Sequence, residues 1–270
     1  MSVQVLRHVY EDRHFEMKSD RGELVSFTVD GFEYMHQKGS PGWKNADTEM
    51  FPSIGPLKEA NYRIKTPKDE AVLDQHGLLR EFEYDLVSNT SKSLVYIKDY
   101  RAYTELSNSK YPENSPEIVQ KWPYDFRFLK KFSFSKSSLR IDFEIIAEAN
   151  MPFMLGYHPA FKLRSSSPVV YSKDVEVSLN EILEVGSRAY LIENTNRVVL
   201  SDEKKLQLTT EGFNHFMCWT EVNNMLCIEP ITFYPYSLPR STTTPRTLAL
   251  RQLEPWSRIW GRSSRRRWSR

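Results

Sequence analysis

"FRFLKKFSFSKSSLRIDFEIIAE", Phe126 to Glu148, reads as two strands joined by a turn. In its second half Leu139, Ile141, Phe143 and Ile145 alternate with Arg140, Asp142 and Glu144, the period-two pattern of a half-buried strand. In its first half Phe126, Phe128, Phe132 and Phe134 form a matching aromatic strand, interrupted by Lys130-Lys131. The intervening "SKSS" supplies turn residues, so the stretch predicts a β-hairpin.

Working outward, "FMCWTEVNNMLCIEP" predicts a second hairpin, with Phe216–Val222 paired to Met225–Pro230 around a two-residue Asn223-Asn224 turn. Shorter strands are expected at Leu94–Tyr100, Val175–Leu179 and Leu206–Thr209. No amphipathic helical window exceeds about three turns, and neither a repeat nor a Gly/Ser linker divides the chain. With 270 residues, 40% of them apolar, and ten glycines against fifteen prolines, the chain has the makings of an all-β fold, a large antiparallel β-sandwich with stiff loops. We expect one domain over residues 1–255.

The formal charge of +2 conceals an asymmetry. Residues 256–270, "WSRIWGRSSRRRWSR", carry six arginines and no acid, leaving 31 basic against 35 acidic residues in the body. A net acidic body lacks the basic face that nucleic-acid binding requires. The tail has no heptad or motif and is expected to be disordered or aberrant, although it could touch an anionic polymer. "MSVQVLRHVYEDRHFEMK" is too charged for a signal sequence, and no apolar run is long enough to span a membrane. Cys218 and Cys227 form neither a zinc motif nor a disulfide framework, so a reducing cytoplasm is the expected location.

Three positions stand out chemically. His158 lies in the apolar run "MLGYHPAFKL" just before Pro159, which keeps it out of helical geometry. His76 precedes Gly77 in "LDQHGLLREFEY", at a tight turn before a strand. Taken alone, each reads more readily as a hydrogen-bonded structural histidine than as a functional one. Glu229 follows the apolar run Met225–Ile228 and precedes Pro230. It is either an edge glutamate facing solvent or a carboxylate closing a buried strand, where desolvation is costly and implies a partner or a task.

"FPSIGPLKEANYRI", "LDQHGLLREFEY", "KWPYDFRFLKKFSF", "MPFMLGYHPAFKL" and "MLCIEP" occur in the order and approximate spacing of the aldose 1-epimerase (mutarotase) family. The resemblance runs from about Glu33 to Pro230 and is closest to the divergent mutarotase-like branch. It implies a galactose mutarotase-like supersandwich with an open sugar cleft, acting on a small-molecule sugar with no metal or organic cofactor and no nucleic-acid or membrane partner; it leaves the oligomeric state unspecified. The histidine of "GYHPAF" matches the family's general acid and the glutamate of "CIEP" its general base, giving those roles to His158 and Glu229. The histidine and arginine of "QHGLLR" match substrate contacts, giving His76 and Arg80. Tyr157, Phe161, Trp122 and Phe233 are candidates to stack on the sugar, or else core residues.

The sequence departs from the family at Gly55-Pro56-Leu57, where relatives carry a Gly-Arg pair, and at Lys162, where many carry asparagine. The expected activity is interconversion of the α and β anomers of a free hexose by general acid/base ring opening. Two alternatives are a hexose-6-phosphate 1-epimerase, for which Arg80 and Arg63 would have to grip the phosphate, and a non-catalytic carbohydrate-binding module. With Pro56 in place of arginine, neutral hexoses are expected to be turned over at least as well as their 6-phosphates.

Overall fold

The computed structural model describes residues 3–236 and the backbone of Arg251–Gln252. The basic tail expected over 256–270 lies outside the described residues. The fold is built from antiparallel sheets sharing an extended hydrophobic core, in keeping with an all-β sandwich. The first hairpin forms from Phe126–Ser135 and Ser138–Ala147, in register from Phe126 opposite Ala147 to Ser135 opposite Ser138. Ser93–Tyr100 and then Asp85–Asn89 extend that sheet.

Alternation along Phe126–Ser135 sends Phe126, Phe128, Lys130 and Phe132 inward. The lysines therefore do not interrupt the aromatic face, as the sequence suggested; Lys130 belongs to it. A buried ammonium needs paired charge, and Lys130 Nζ lies 2.7 Å from Asp47 Oδ2 and 2.6 Å from Glu49 Oε1.

A second sheet runs Tyr190–Ile192, His215–Trp219, Met225–Ile231, Gly156–Tyr157 and Glu49–Met50, with Ala160–Lys162 also paired to Met225–Ile231. Its central hairpin is shorter than expected. The outgoing strand ends at Trp219, paired with Cys227, because Thr220 closes a local turn: its Oγ1 accepts from Val222 N–H at 3.1 Å and donates to Val222 O at 2.7 Å. The reversal is thus wider than a two-residue Asn-Asn turn.

A four-stranded sheet from Gln4 to Glu33 and another of Glu176–Ser178, Val169–Tyr171, Arg197–Ser201 and Lys205–Thr209 complete the main architecture. The strand expected at Val175–Leu179 stops at Ser178, which caps a helix of about two turns, Leu179–Val185, through a reciprocal capping box with Glu181. No helix among the described residues is long and apolar enough to cross a membrane.

Candidate active site

The strand Met225–Ile231 is buried along its whole length, so Glu229 lies inside it and does not face solvent. Alternation puts Cys227 and Glu229 on one face, with their cross-strand neighbours Trp219 and Met217; Leu226, Ile228 and Pro230 occupy the other. Gly156–Tyr157 pairs with Glu49–Met50, and just beyond it His158 N–H donates to Thr48 O at 2.8 Å. That bond fixes His158 over the Glu229 face. His158 Nε2 lies 3.1 Å from Glu229 Oε1.

His76 arrives from a separate loop. Phe51 N–H donates to His76 O at 3.1 Å, and the N–H groups of Leu78 and Leu79 donate back to Phe51 O at 3.0 and 3.2 Å. Between them Gly77 has a φ of +68° and packs so closely on the Phe51 carbonyl that a Cβ would collide with it. Glycine is required there on both counts. The His76 ring then meets the His158 ring edge to face, with centroids 5.5 Å apart.

Arg80 orients His76. Its guanidinium donates to His76 Nδ1 at 2.6 Å and to Glu81 Oε1 at 3.1 Å, and also bonds Asp74. Arginine can only donate, so His76 Nδ1 must be the acceptor and the ring proton resides on Nε2. Asp74 also accepts from His76 N–H at 2.8 Å, and Gln120 accepts from Asp74 N–H at 3.1 Å. Asp74 passed unnoticed in the sequence; its one signal was its position two residues before His76 in "LDQHG".

Both members of the central pair are pushed toward neutrality. Burial raises the Glu229 carboxyl to about 8. Burial, with a further contribution from the Arg80 cation, lowers His158 to about 4. Burial, the neighbouring His158, and Lys110 and Lys44 hold His76 down at about 3. At pH 7, therefore, His76 is a neutral donor and one proton is held by the His158–Glu229 pair.

Of the aromatics expected against a sugar, Tyr157, Phe161 and Trp122 are buried in the core and Phe233 packs against it. The ring beside the site is instead Trp219, half-buried and edge-on to His158 at 6.0 Å. Arg63 is engaged elsewhere, 3.1 Å from Glu117 and 3.7 Å from Glu70. Pro56 adjoins Gly55, whose N–H donates to Gln75 O at 2.9 Å, so the departure from the family flanks the His76 loop.

Two other features bear on what the site can hold. The ligand atoms of His158, Cys227 and Glu229 lie within 4.8 Å of one another. Burial, followed by the Glu229 charge, raises the Cys227 thiol well above its ordinary range, so it is protonated at neutral pH. A cavity of about 1240 Å³ opens on the opposite side of the sheet, among Phe27, Ile141, Phe143, Tyr157, Phe161 and Pro230. None of His76, Arg80, His158 and Glu229 lines it, so it offers no room for a sugar at the histidine–glutamate pair.

The aldose 1-epimerase family model matches residues 57–206. The chromosomal LacX protein of Lactococcus lactis is 24% identical over 217 residues, an alignment covering 74% of this chain and 66% of that protein. A galactose mutarotase-like protein from Lactobacillus casei superposes with a TM-score of 0.74 at 13% identity, over 97% of this chain and 99% of the other. A galactose mutarotase related enzyme from Lactobacillus acidophilus gives a TM-score of 0.68 at 17% identity, over 96% of each chain.

Proposed function

Because the chain belongs to the aldose 1-epimerase family, we propose that it interconverts the α and β anomers of a hexose, with Glu229 and His158 as the proton-transfer pair and His76 and Arg80 as the substrate-orienting pair. The observation that carries this reading is the buried 3.1 Å contact between His158 Nε2 and Glu229 Oε1, with a carboxyl raised to about 8 and an imidazole lowered to about 4.

Proton bookkeeping explains why those opposed shifts suit the reaction. A neutral acid beside a neutral imidazole has the same proton count as a carboxylate beside an imidazolium. Moving one proton across the 3.1 Å His158–Glu229 contact converts the first into the second. With the anomeric hydroxyl against Glu229 and the ring oxygen against His158, the carboxylate takes the O1 proton while the imidazolium protonates O5. The C1–O5 bond breaks, the C1=O1 double bond forms, and the pair returns to its neutral state beside the open-chain aldehyde. After rotation about C1–C2 the transfers run in reverse: His158 takes the O5–H proton as O5 attacks C1, and Glu229 protonates O1. Positioned general acids and bases each contribute roughly 10² to 10⁴ in rate.

His76 Nε2–H is the donor available to a sugar oxygen, and Arg80 holds the ring in that tautomer. Trp219 offers a face to the apolar C–H surface of the ring.

The test is polarimetry on fresh α-glucose and α-galactose with Glu229→Gln. The amide preserves the shape of the site but cannot take the proton, so the rate is expected to fall by about 10² to 10⁴ while sugar binding stays measurable. Full activity in this variant removes Glu229 as the base. Tight sugar binding by the wild type with no mutarotation at any pH would make the chain a carbohydrate-binding module.

A further inference from the structure

Cys227 takes no part in the proposed proton transfer, yet it stands with the two residues that do. Alternation along Met225–Ile231 turns its side chain to the same face as Glu229, and the bond from His158 N–H to Thr48 O sets the imidazole over that face. A thiol, a carboxyl and an imidazole nitrogen therefore converge, each carried by hydrogen-bonded backbone, with all three ligand atoms within 4.8 Å of one another. No local motif announces the group, because His158 lies far from Cys227 in the chain.

The spacing suits zinc. Tetrahedral Zn–N, Zn–O and Zn–S bonds of about 2.0, 2.1 and 2.3 Å put neighbouring donors about 3.3–3.6 Å apart. The His158–Glu229 contact of 3.1 Å already approximates one edge of that tetrahedron. Cys227 Sγ completes the triangle with a shift of no more than about 1.3 Å. Three protein donors leave the fourth position to water. An imidazole and a thiolate with a single carboxylate select zinc and its neighbours over magnesium or calcium, which are held by oxygen.

Charge balances as well. At neutral pH the His158–Glu229 pair holds one proton and the Cys227 thiol another. A divalent ion bound to the nitrogen lone pair, the carboxylate and the thiolate sends those two protons to solvent. The buried group thus keeps the same net charge, and no electron moves. The Arg80 cation that bears on His158 is already matched by Asp74 and Glu81.

We infer that His158, Cys227 and Glu229 form a site for a divalent ion of the zinc class, and that this ion and proton transfer exclude one another, since both need the His158 nitrogen and the Glu229 oxygen. The ion is an inhibitor of the proposed reaction and not its cofactor. The exclusion rests on the proposed acid/base reading; the ion site does not.

The full chain, stripped of metal by a chelator and kept reduced, is to be titrated with Zn²⁺ by calorimetry and with Co²⁺ by absorbance. One ion per chain is expected, and the cobalt form should show the near-ultraviolet charge-transfer band of a thiolate ligand. Cys218 and Cys227 are the only cysteines, and Cys218 pairs with Ile228 on the other face of the hairpin. Cys227→Ser should therefore abolish the band and weaken Zn²⁺ about tenfold or more, while Cys218→Ser keeps both signals. Failure of the wild type to bind Zn²⁺ saturably, binding without the thiolate band, or a band that survives in Cys227→Ser overturns the inference. Polarimetry on fresh α-glucose and α-galactose with the same samples separates the two readings. Mutarotation should be lost as the band saturates. A saturated band with mutarotation unchanged overturns the exclusion and removes the His158–Glu229 pair from the reaction, yet leaves the ion site standing.

Discussion

Two buried ionisable clusters lie a few residues apart in this molecule and are treated in opposite ways. Around Lys130, charges are matched: the ammonium sits between Asp47 and Glu49, and Tyr157 OH donates to Asp47 at 2.6 Å. Burial pulls Lys130 down, but the two acids more than offset it and raise it overall. At His158 and Glu229 no countercharge is supplied among the described residues, and both groups are driven toward neutrality. The segment Asp47–Glu49 serves both, its acids facing the lysine while the Thr48 carbonyl anchors His158. The contrast separates two treatments of a buried charge: one is fixed and holds sheets together, the other, on the proposed reading, is left free to move a proton.

If that contrast is right, breaking the first cluster should cost stability and altering the second should cost chemistry. Lys130→Met leaves two buried carboxyl groups without their cation, and removing one partner of a buried pair typically costs about 3–5 kcal/mol. Denaturant unfolding should register a loss of that size; a change below about 1 kcal/mol, the range of a surface pair, would show that the cluster is not matched as described.

Glu229→Gln should do the reverse. The folded carboxyl has its pKa raised from 4.5 to about 8, so between those values the folded state binds a proton that the unfolded state releases. Its contribution to stability is present below about 4.5 and is lost as pH rises to about 8. His158, lowered from 6.5 to about 4, acts in the opposite sense between those two values and masks the effect up to about pH 6.5. Comparing variant with wild type removes the mask. The stability advantage of Glu229→Gln should grow with pH by at most about 1.4 kcal/mol per unit and level off above about pH 8. A pH-independent difference would mean that the carboxyl is already ionised in the folded protein.

Trp219 should matter least. Aromatic contacts are worth about 0.5–1.5 kcal/mol beyond the area they bury, so Trp219→Ala should raise KM for the sugar by up to about tenfold, with Trp219→Phe recovering most of the loss. An unchanged KM in the alanine variant would remove it from the binding surface.

The same division governs what could be read from the sequence. Phe126–Ala147 was legible because its apolar residues alternate, and His158 and Glu229 were legible because each adjoins a proline within an apolar run and a recognisable motif. The sheet at residues 4–33 was not picked out: its first turn uses Glu11 and Asp12 at φ of +50° and +60°, with none of the glycine or asparagine that usually marks such a turn. Lys130 looked like an interruption because its partners, Asp47 and Glu49, are some eighty residues away in sequence. Asp74 and Trp219 acquire meaning only when separate loops meet around two histidines, and no local pattern encodes that meeting.

The central claim is that one proton shared by Glu229 and His158 performs the reaction, and the pH dependence of kcat/KM tests it most directly. With spontaneous mutarotation subtracted at each pH, the account predicts a bell with limbs near pH 4, below which the pair holds two protons and has no base, and near pH 8, above which it holds none and has no acid. A rate that is flat from pH 4 to beyond about pH 9, or that keeps rising above the upper limb, would contradict it.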